Sequence, residues 1–198
     1  MTTSWKWREH QLRGIARIIV SGSTYLNHAV GAGKTSTMIA AAMELRRLGK
    51  VRKPLFVVPN HVLGQFSTEW YQLYPRANLM IADEANFHTS RRKRFVAEVG
   101  SGDYDAVIMT YASWGLIPIS DDFADQVIRE EISTFVEAMQ EAEDRFTRKN
   151  LESAVKRLEA RLQRGAKKER DQVFTFEELG VDMLFIDEAQ EYLSLIHI

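Results

Sequence analysis

The chain has 198 residues and a formal net charge of -1, with 45% of its residues hydrophobic and 27% charged. That is enough apolar material for one sizeable globular core, and too little net positive charge for wholesale electrostatic attachment to nucleic acid. Cysteine is absent, which excludes disulfides, thiolate catalysis and zinc-cysteine sites; with no secretory h-region and no apolar run of membrane-spanning length, the sequence reads as a soluble cytoplasmic domain.

Residues 7–20 place Leu12, Ile15, Ile18 and Ile19 at helical spacing, with Arg8, Arg13 and Arg17 largely elsewhere, and so predict an amphipathic helix. Residues 24–29 predict a short strand feeding a glycine-containing loop. A helix follows over about 34–48; Ala40, Ala41 and Ala42 would let it approach a sheet closely, and Gly49 ends it. Residues 54–58 read as a second, buried strand, with Asn60 as the N-cap of a helix running to about residue 73. A third strand is expected over 78–82, a helix over 91–99, a fourth strand over 105–110 and a fifth over 181–186. Apolar strands alternating with helices imply an α/β fold, a parallel sheet covered by helices on both faces.

Between about residues 121 and 171 strand signals vanish. Ile128, Ile132, Phe135, Met139, Ala142 and Phe146 recur at helical spacing; after a break at 147–150 comes a second series, Leu151, Ala154, Val155, Leu158 and Leu162. Acidic residues surround the first stripe (Glu130, Glu131, Glu137, Glu141, Glu143). Basic ones surround the second (Lys156, Arg157, Arg161, Arg164, Lys167, Lys168). Opposite charge on consecutive helices favours an antiparallel, coiled-coil hairpin over a single rod. The expected organisation is therefore a first α/β part (1–120), a charged hairpin insertion (121–171) and a return of the α/β part (172–192). The hairpin is either an arm that meets a partner or a self-paired structural insert.

Two stretches far apart in sequence carry chemistry. In Gly31-Ala32-Gly33-Lys34-Thr35-Ser36 the glycines let backbone N–H groups turn inward on phosphate oxygens. Lys34 reaches the outer phosphates, the Thr35 hydroxyl can ligate Mg²⁺, and the following helix points its positive end at the same anion. Leu184-Phe185-Ile186-Asp187-Glu188-Ala189-Gln190 is an apolar strand ending in two acids, where Asp187 would hold Mg²⁺ and Glu188 would polarise an attacking water. Together they specify an NTP-hydrolysing site with Mg²⁺, with Lys34 and Glu188 as the catalytic pair. Arg91-Arg92-Lys93-Arg94 is either a phosphate-backbone contact or a solvated helix face. Trp5, Trp7, Trp70 and Trp114 read as packing residues, and the histidines show no metal-ligand spacing.

These motifs, with three more, resemble the first RecA-like lobe of superfamily 2 helicases and translocases, closest to the Swi/Snf-like group. Trp7-Arg8-Glu9-His10-Gln11 looks like the upstream glutamine element, which implies that Gln11 reads an adenine edge. Phe56-Val57-Val58-Pro59-Asn60 with Gln65-Phe66, and Val107-Ile108-Met109-Thr110-Tyr111, resemble the family's DNA-contacting elements, which implies contacts by Pro59, Asn60, Thr110 and Tyr111. Asp187-Glu188-Ala189-Gln190 is a variant of the DEAD/DEAH box. The wording is similar to large helicases of phages and mobile elements encoded with DNA methylases. The resemblance implies duplex DNA as partner and ATP hydrolysis completed by a second RecA-like lobe bearing arginine fingers.

The chain departs from the pattern at His28, where a full GxxxxGKT has glycine, and at Gln190, which bears on coupling between hydrolysis and DNA contact. Residues 193–198 match the translation of a transposon mosaic end used in sequencing adaptors, so the natural sequence is expected to stop being informative after Tyr192. Two other readings stand beside the motor lobe. One is an ATP-binding module that does not hydrolyse. The other is a different P-loop motor, such as a restriction-enzyme translocase subunit or a AAA-type switch, although the 56–66 and 107–111 elements suit a helicase lobe better.

Overall fold

The computed structural model describes residues 5–83, 87–142, 144–165 and 175–189. It divides into two compact units, Met1–Ile117 with Glu178–Ile198, and residues 118–177. Among the described residues no helix is long and apolar enough to cross a membrane.

In the first unit the elements run α1 (Glu9–Ser21), α2 (Lys34–Arg47), β1 (Pro54–Val58), a 3-10 turn (Asn60–Val62), α3 (Leu63–Leu73), β2 (Leu79–Ala82), α4 (Thr89–Ser101), β3 (Ala106–Thr110), the short α5 (Tyr111–Trp114) and β4 (Met183–Ile186). The four strands form one parallel sheet in the order β2-β3-β1-β4. Leu55 of β1 faces Val107 of β3 on one side and Leu184 of β4 on the other. β1 and β3 lie inside and are buried at every position, as continuous apolar runs in a sheet covered on both faces must be. The Asp182 carboxylate accepts the backbone N–H groups of Arg52 at 2.6 Å and Lys53 at 2.9 Å, which sets β4 beside the start of β1.

α2 packs on both α1 and α3. Its Ile39, Ala41 and Ala42 are fully buried. At Gly14 of α1 a Cβ would lie 3.1 Å from the Thr37 methyl, so glycine sets how closely α1 and α2 approach. The core behind these helices is aromatic: Phe56 stacks on Phe185 with ring centroids 4.6 Å apart and meets Trp70 edge-on at 4.8 Å.

Three local expectations are corrected. Residues 24–29 form no strand; Leu26 packs against the core while Tyr25 stays 64% exposed, and a cavity of about 400 Å³ lies between this segment and the outer edge of β4. The segment's one core anchor holds it without bringing its backbone into ladder distance. Asn60 makes no capping hydrogen bond, because it opens the 3-10 turn that precedes α3. Residues 147–150, expected as a helical break, are themselves helical.

The second unit holds α6 (Asp121–Glu141) and α7 (Arg145–Gly165), which pack on each other. Ser120 caps α6 by accepting the Phe123 N–H at 3.2 Å, ahead of Asp121 and Asp122 in the first turn, where acids suit the helix dipole. The Asp144 carboxylate accepts the Thr147 N–H at 2.9 Å and its hydroxyl at 3.0 Å. This local cap at the head of α7 outcompetes the apolar periodicity that places the break later, and it puts Phe146, 72% exposed, on α7. The expected 193–198 tail, Gln190, Glu143, Lys167 and Lys168 lie outside the described residues.

Candidate nucleotide site and adjoining hollow

The loop ahead of α2 is shaped by two residues in the left-handed region, Gly31 at φ +77° and Gly33 at φ +82°. Gly33 is also the N-cap of α2, and a Cβ there would stand 2.3 Å from Gln11 Nε2. Only glycine satisfies both the backbone angle and the space. The Gly33 carbonyl accepts the Ser36 hydroxyl at 3.0 Å and the Thr37 hydroxyl at 2.8 Å, while His10 Nε2 lies 2.9 Å from the Ala32 carbonyl. α1 therefore braces the loop from beneath. Gln11 is part of that brace: buried, it accepts the Arg8 N–H at 2.9 Å and donates to the Ser36 hydroxyl at 3.3 Å.

Lys34, at the first position of α2, donates to the His28 carbonyl at 3.3 Å, a long contact that a phosphate oxygen could replace. Asp187 and Glu188 follow β4. The Asp187 N–H bonds the Val57 carbonyl of β1 at 2.9 Å, its own carbonyl accepts the Tyr111 hydroxyl, and its Oδ1 accepts the Glu188 N–H at 3.1 Å. Glu188 stands at φ 53°, a left-handed backbone unusual outside glycine. Lys34, Asp187 and Glu188 line the same 400 Å³ cavity. Burial, then repulsion from Glu188, pushes the Asp187 carboxyl above its ordinary range, and the Lys34 ammonium pulls it back.

A second cavity of about 610 Å³ opens on the other side of the loop, lined by Gln11, Gly31, Ala32, Gly33, Ser36 and Glu69, among others. Glu69 was not singled out in the sequence. Burial raises its carboxyl, Ser36 opposes that by hydrogen bonding, and Asp187 adds repulsion. Its signal was the polar stripe Gln65, Thr68, Glu69 and Gln72, which backs the buried stripe Phe66, Trp70 and Leu73 on α3.

A third hollow, about 640 Å³, sits past the ends of β1 and β3. Asn60 and Thr110 share it with Arg92, His88 and Ser113. Thr110 accepts the Ser113 N–H at 3.1 Å, capping α5. Pro59 and Tyr111 do not line it; Tyr111 turns instead to Asp187. Among the described residues no group of three or more His, Cys, Asp or Glu side chains could hold a metal ion by itself.

Residues 18–197 match a family model described as "Probable helicase domain". No curated protein matches the chain. The solved Sulfolobus solfataricus SWI2/SNF2 ATPase core in complex with dsDNA is similar at a TM-score of 0.45 and 23% identity, over 55% of this chain and 22% of that one.

Proposed function

The chain belongs to the probable helicase domain family, and from that membership we propose that it is the ATP-binding lobe of an ATP-dependent DNA helicase or translocase. The observation that carries the reading is the convergence of Lys34 with Asp187 and Glu188 on one cavity, although more than 150 residues separate them in sequence.

The residues fit a nucleoside triphosphate with Mg²⁺. A loop that tolerates no Cβ at Gly33, at the N-terminus of a 14-residue helix, is an anion cradle. A hydroxyl from Thr35 and a carboxylate from Asp187 are the oxygen donors Mg²⁺ takes when it keeps most of its waters. Bound Mg²⁺ would neutralise charge on the phosphates. Lys34 exchanges the His28 carbonyl for the outer phosphates and bears their charge. Glu188 orients the attacking water and accepts its proton. Gln11, which lines the 610 Å³ cavity beside Gly33 and Ser36, is the residue assigned to the adenine edge. Pro59, Asn60, Thr110 and Tyr111 are the candidate DNA contacts, and the Tyr111–Asp187 bond is the route by which DNA engagement would reach the acid pair.

Titration with a fluorescent ATP analogue and Mg²⁺ tests the reading. Lys34→Ala should weaken binding by about 30-fold, the loss of one charge-assisted contact of ~2 kcal/mol. Glu188→Gln should retain binding and lose turnover in a protein carrying both lobes. Equal affinity of wild type and Lys34→Ala would remove the nucleotide site, and full turnover by Glu188→Gln would remove Glu188 from its role.

A further inference from the structure

Four consecutive bases, Arg91 to Arg94, open α4, and the helix has no acid in its first turn and no side-chain cap at His88. Cations at the positive end of a helix dipole are disfavoured; Arg94 is offset by Glu98 one turn on, at 3.9 Å. Arg91, Lys93 and Arg94 are exposed, whereas Arg92 is half-buried. Its guanidinium lies over the Phe87 ring, 5.3 Å from the centroid, and donates to the Leu116 carbonyl at 3.3 Å. Its Nε is buried with no hydrogen-bond partner. A ring below and a carbonyl at one end hold the planar fork in place, at the wall of the 640 Å³ hollow. The buried Thr110 and Ser113 hydroxyls, 3.1 Å apart, and Asn60 line the same hollow; one acid, Asp83, does too.

We infer that Arg92 is a phosphate clamp, holding one backbone phosphate of a nucleic acid in this hollow while the Ser113 hydroxyl and Asn60 amide donate to the same group. The inference rests on the nucleic-acid reading above and adds a residue to it. A fixed guanidinium matches a phosphate with two parallel N–H bonds, and it needs little further ordering to do so. Thr110 adjoins Tyr111, whose hydroxyl bonds the Asp187 carbonyl, so occupancy of the hollow is one residue from the acid pair.

The test is fluorescence anisotropy of a labelled 30-base-pair duplex against the full chain across a salt series of about 50–200 mM. Arg92→Ala should weaken binding about tenfold at the lowest salt and reduce the slope of log affinity against log salt by about one, the signature of one lost phosphate contact. Arg92→Lys should keep the slope, because the charge remains, yet bind several-fold more weakly for want of the fork. If the alanine variant fails to fold, as judged by its thermal melt, the lysine variant decides alone. Wild-type affinity in Arg92→Lys, or an unchanged slope in a folded Arg92→Ala, overturns the clamp while leaving the DNA reading intact. A wild type that binds ATP but no duplex overturns the DNA reading itself. Inorganic phosphate alone, giving a saturable, Arg92-dependent thermal shift below about 1 mM without competing with DNA, would reassign the hollow to a free anion and overturn the clamp.

Discussion

Asp187 shows how burial and a like-charged neighbour act on one side chain. Its carboxyl is raised because burial and the neighbouring Glu188 disfavour its charge. Below the ordinary carboxylate range it is protonated both folded and unfolded, and contributes nothing to the pH dependence. As pH rises through that range the unfolded chain ionises first, so folding loses stability until the folded carboxyl has ionised as well. Asp187→Asn removes that penalty. The ligand-free variant should melt higher than wild type at neutral pH, by about 2 °C given the solvent screening of a partly exposed carboxyl, and the difference should vanish at acid pH. Differential scanning calorimetry at several pH values checks both the sign and the convergence. The same substitution should abolish stabilisation by Mg²⁺ and ATP together, which separates an acid held ready for a cation from one that is merely buried. The identity of this acid was legible from an apolar run ending in two carboxylates. Its coupling to Lys34, Glu69 and Tyr111 was not, because those residues meet it only after the sheet has assembled.

Lys53 acts at the scale of elements. It stands just ahead of β1, buried, with its ammonium donating to the carbonyls of Val99, Gly100 and Leu179. It therefore ties the last turn of α4 and the approach to β4 to the bottom of the sheet. Burial lowers its pKa, but three accepting carbonyls keep the charge tolerable. Lys53→Met deletes the donor and strands those carbonyls, at a cost of about 2 kcal/mol. A lower urea midpoint with an unchanged m-value is expected, and hydrogen exchange at residues 99–101 should quicken. Elements with one dominant physical term were readable in advance. β1 and β3 are unbroken apolar runs, and α2 is a small-residue helix. Where two terms compete, reading failed: core anchoring of Leu26 against strand pairing over 24–29, and the Asp144 cap against the apolar stripe that continues to Phe146.

At the scale of the whole molecule, the chain leaves the α/β unit after Ile117 and re-enters at Glu178. The two ends of the second unit meet: the Phe176 N–H donates to the Pro118 carbonyl at 2.8 Å, and the Ser120 hydroxyl and N–H both donate to the Glu177 carboxylate, the hydroxyl at 2.9 Å. Termini this close can be joined by a short linker at small entropic cost. Replacing residues 119–175 with four to six Gly/Ser residues, about the span such a loop needs, should leave a cooperative unfolding transition within roughly 5 °C of the parent and an unchanged ATP affinity. Loss of the transition would show that the second unit contributes to the core of the first.

The sequence by itself determined the local pattern: a glycine loop ahead of a helix, a pair of acids after a strand, the α/β alternation and a change of character near residue 121. Each of these is written in contiguous residues, where type and spacing suffice because backbone geometry and helix polarity are local properties. Only the tertiary structure decided the strand order, the bracing of the loop by His10 and Gln11, the approach of Glu69, and the placing of Arg92 in the hollow past β1 and β3. Those depend on helix phase and on which strands lie side by side, and burial energy settles both over the whole core at once.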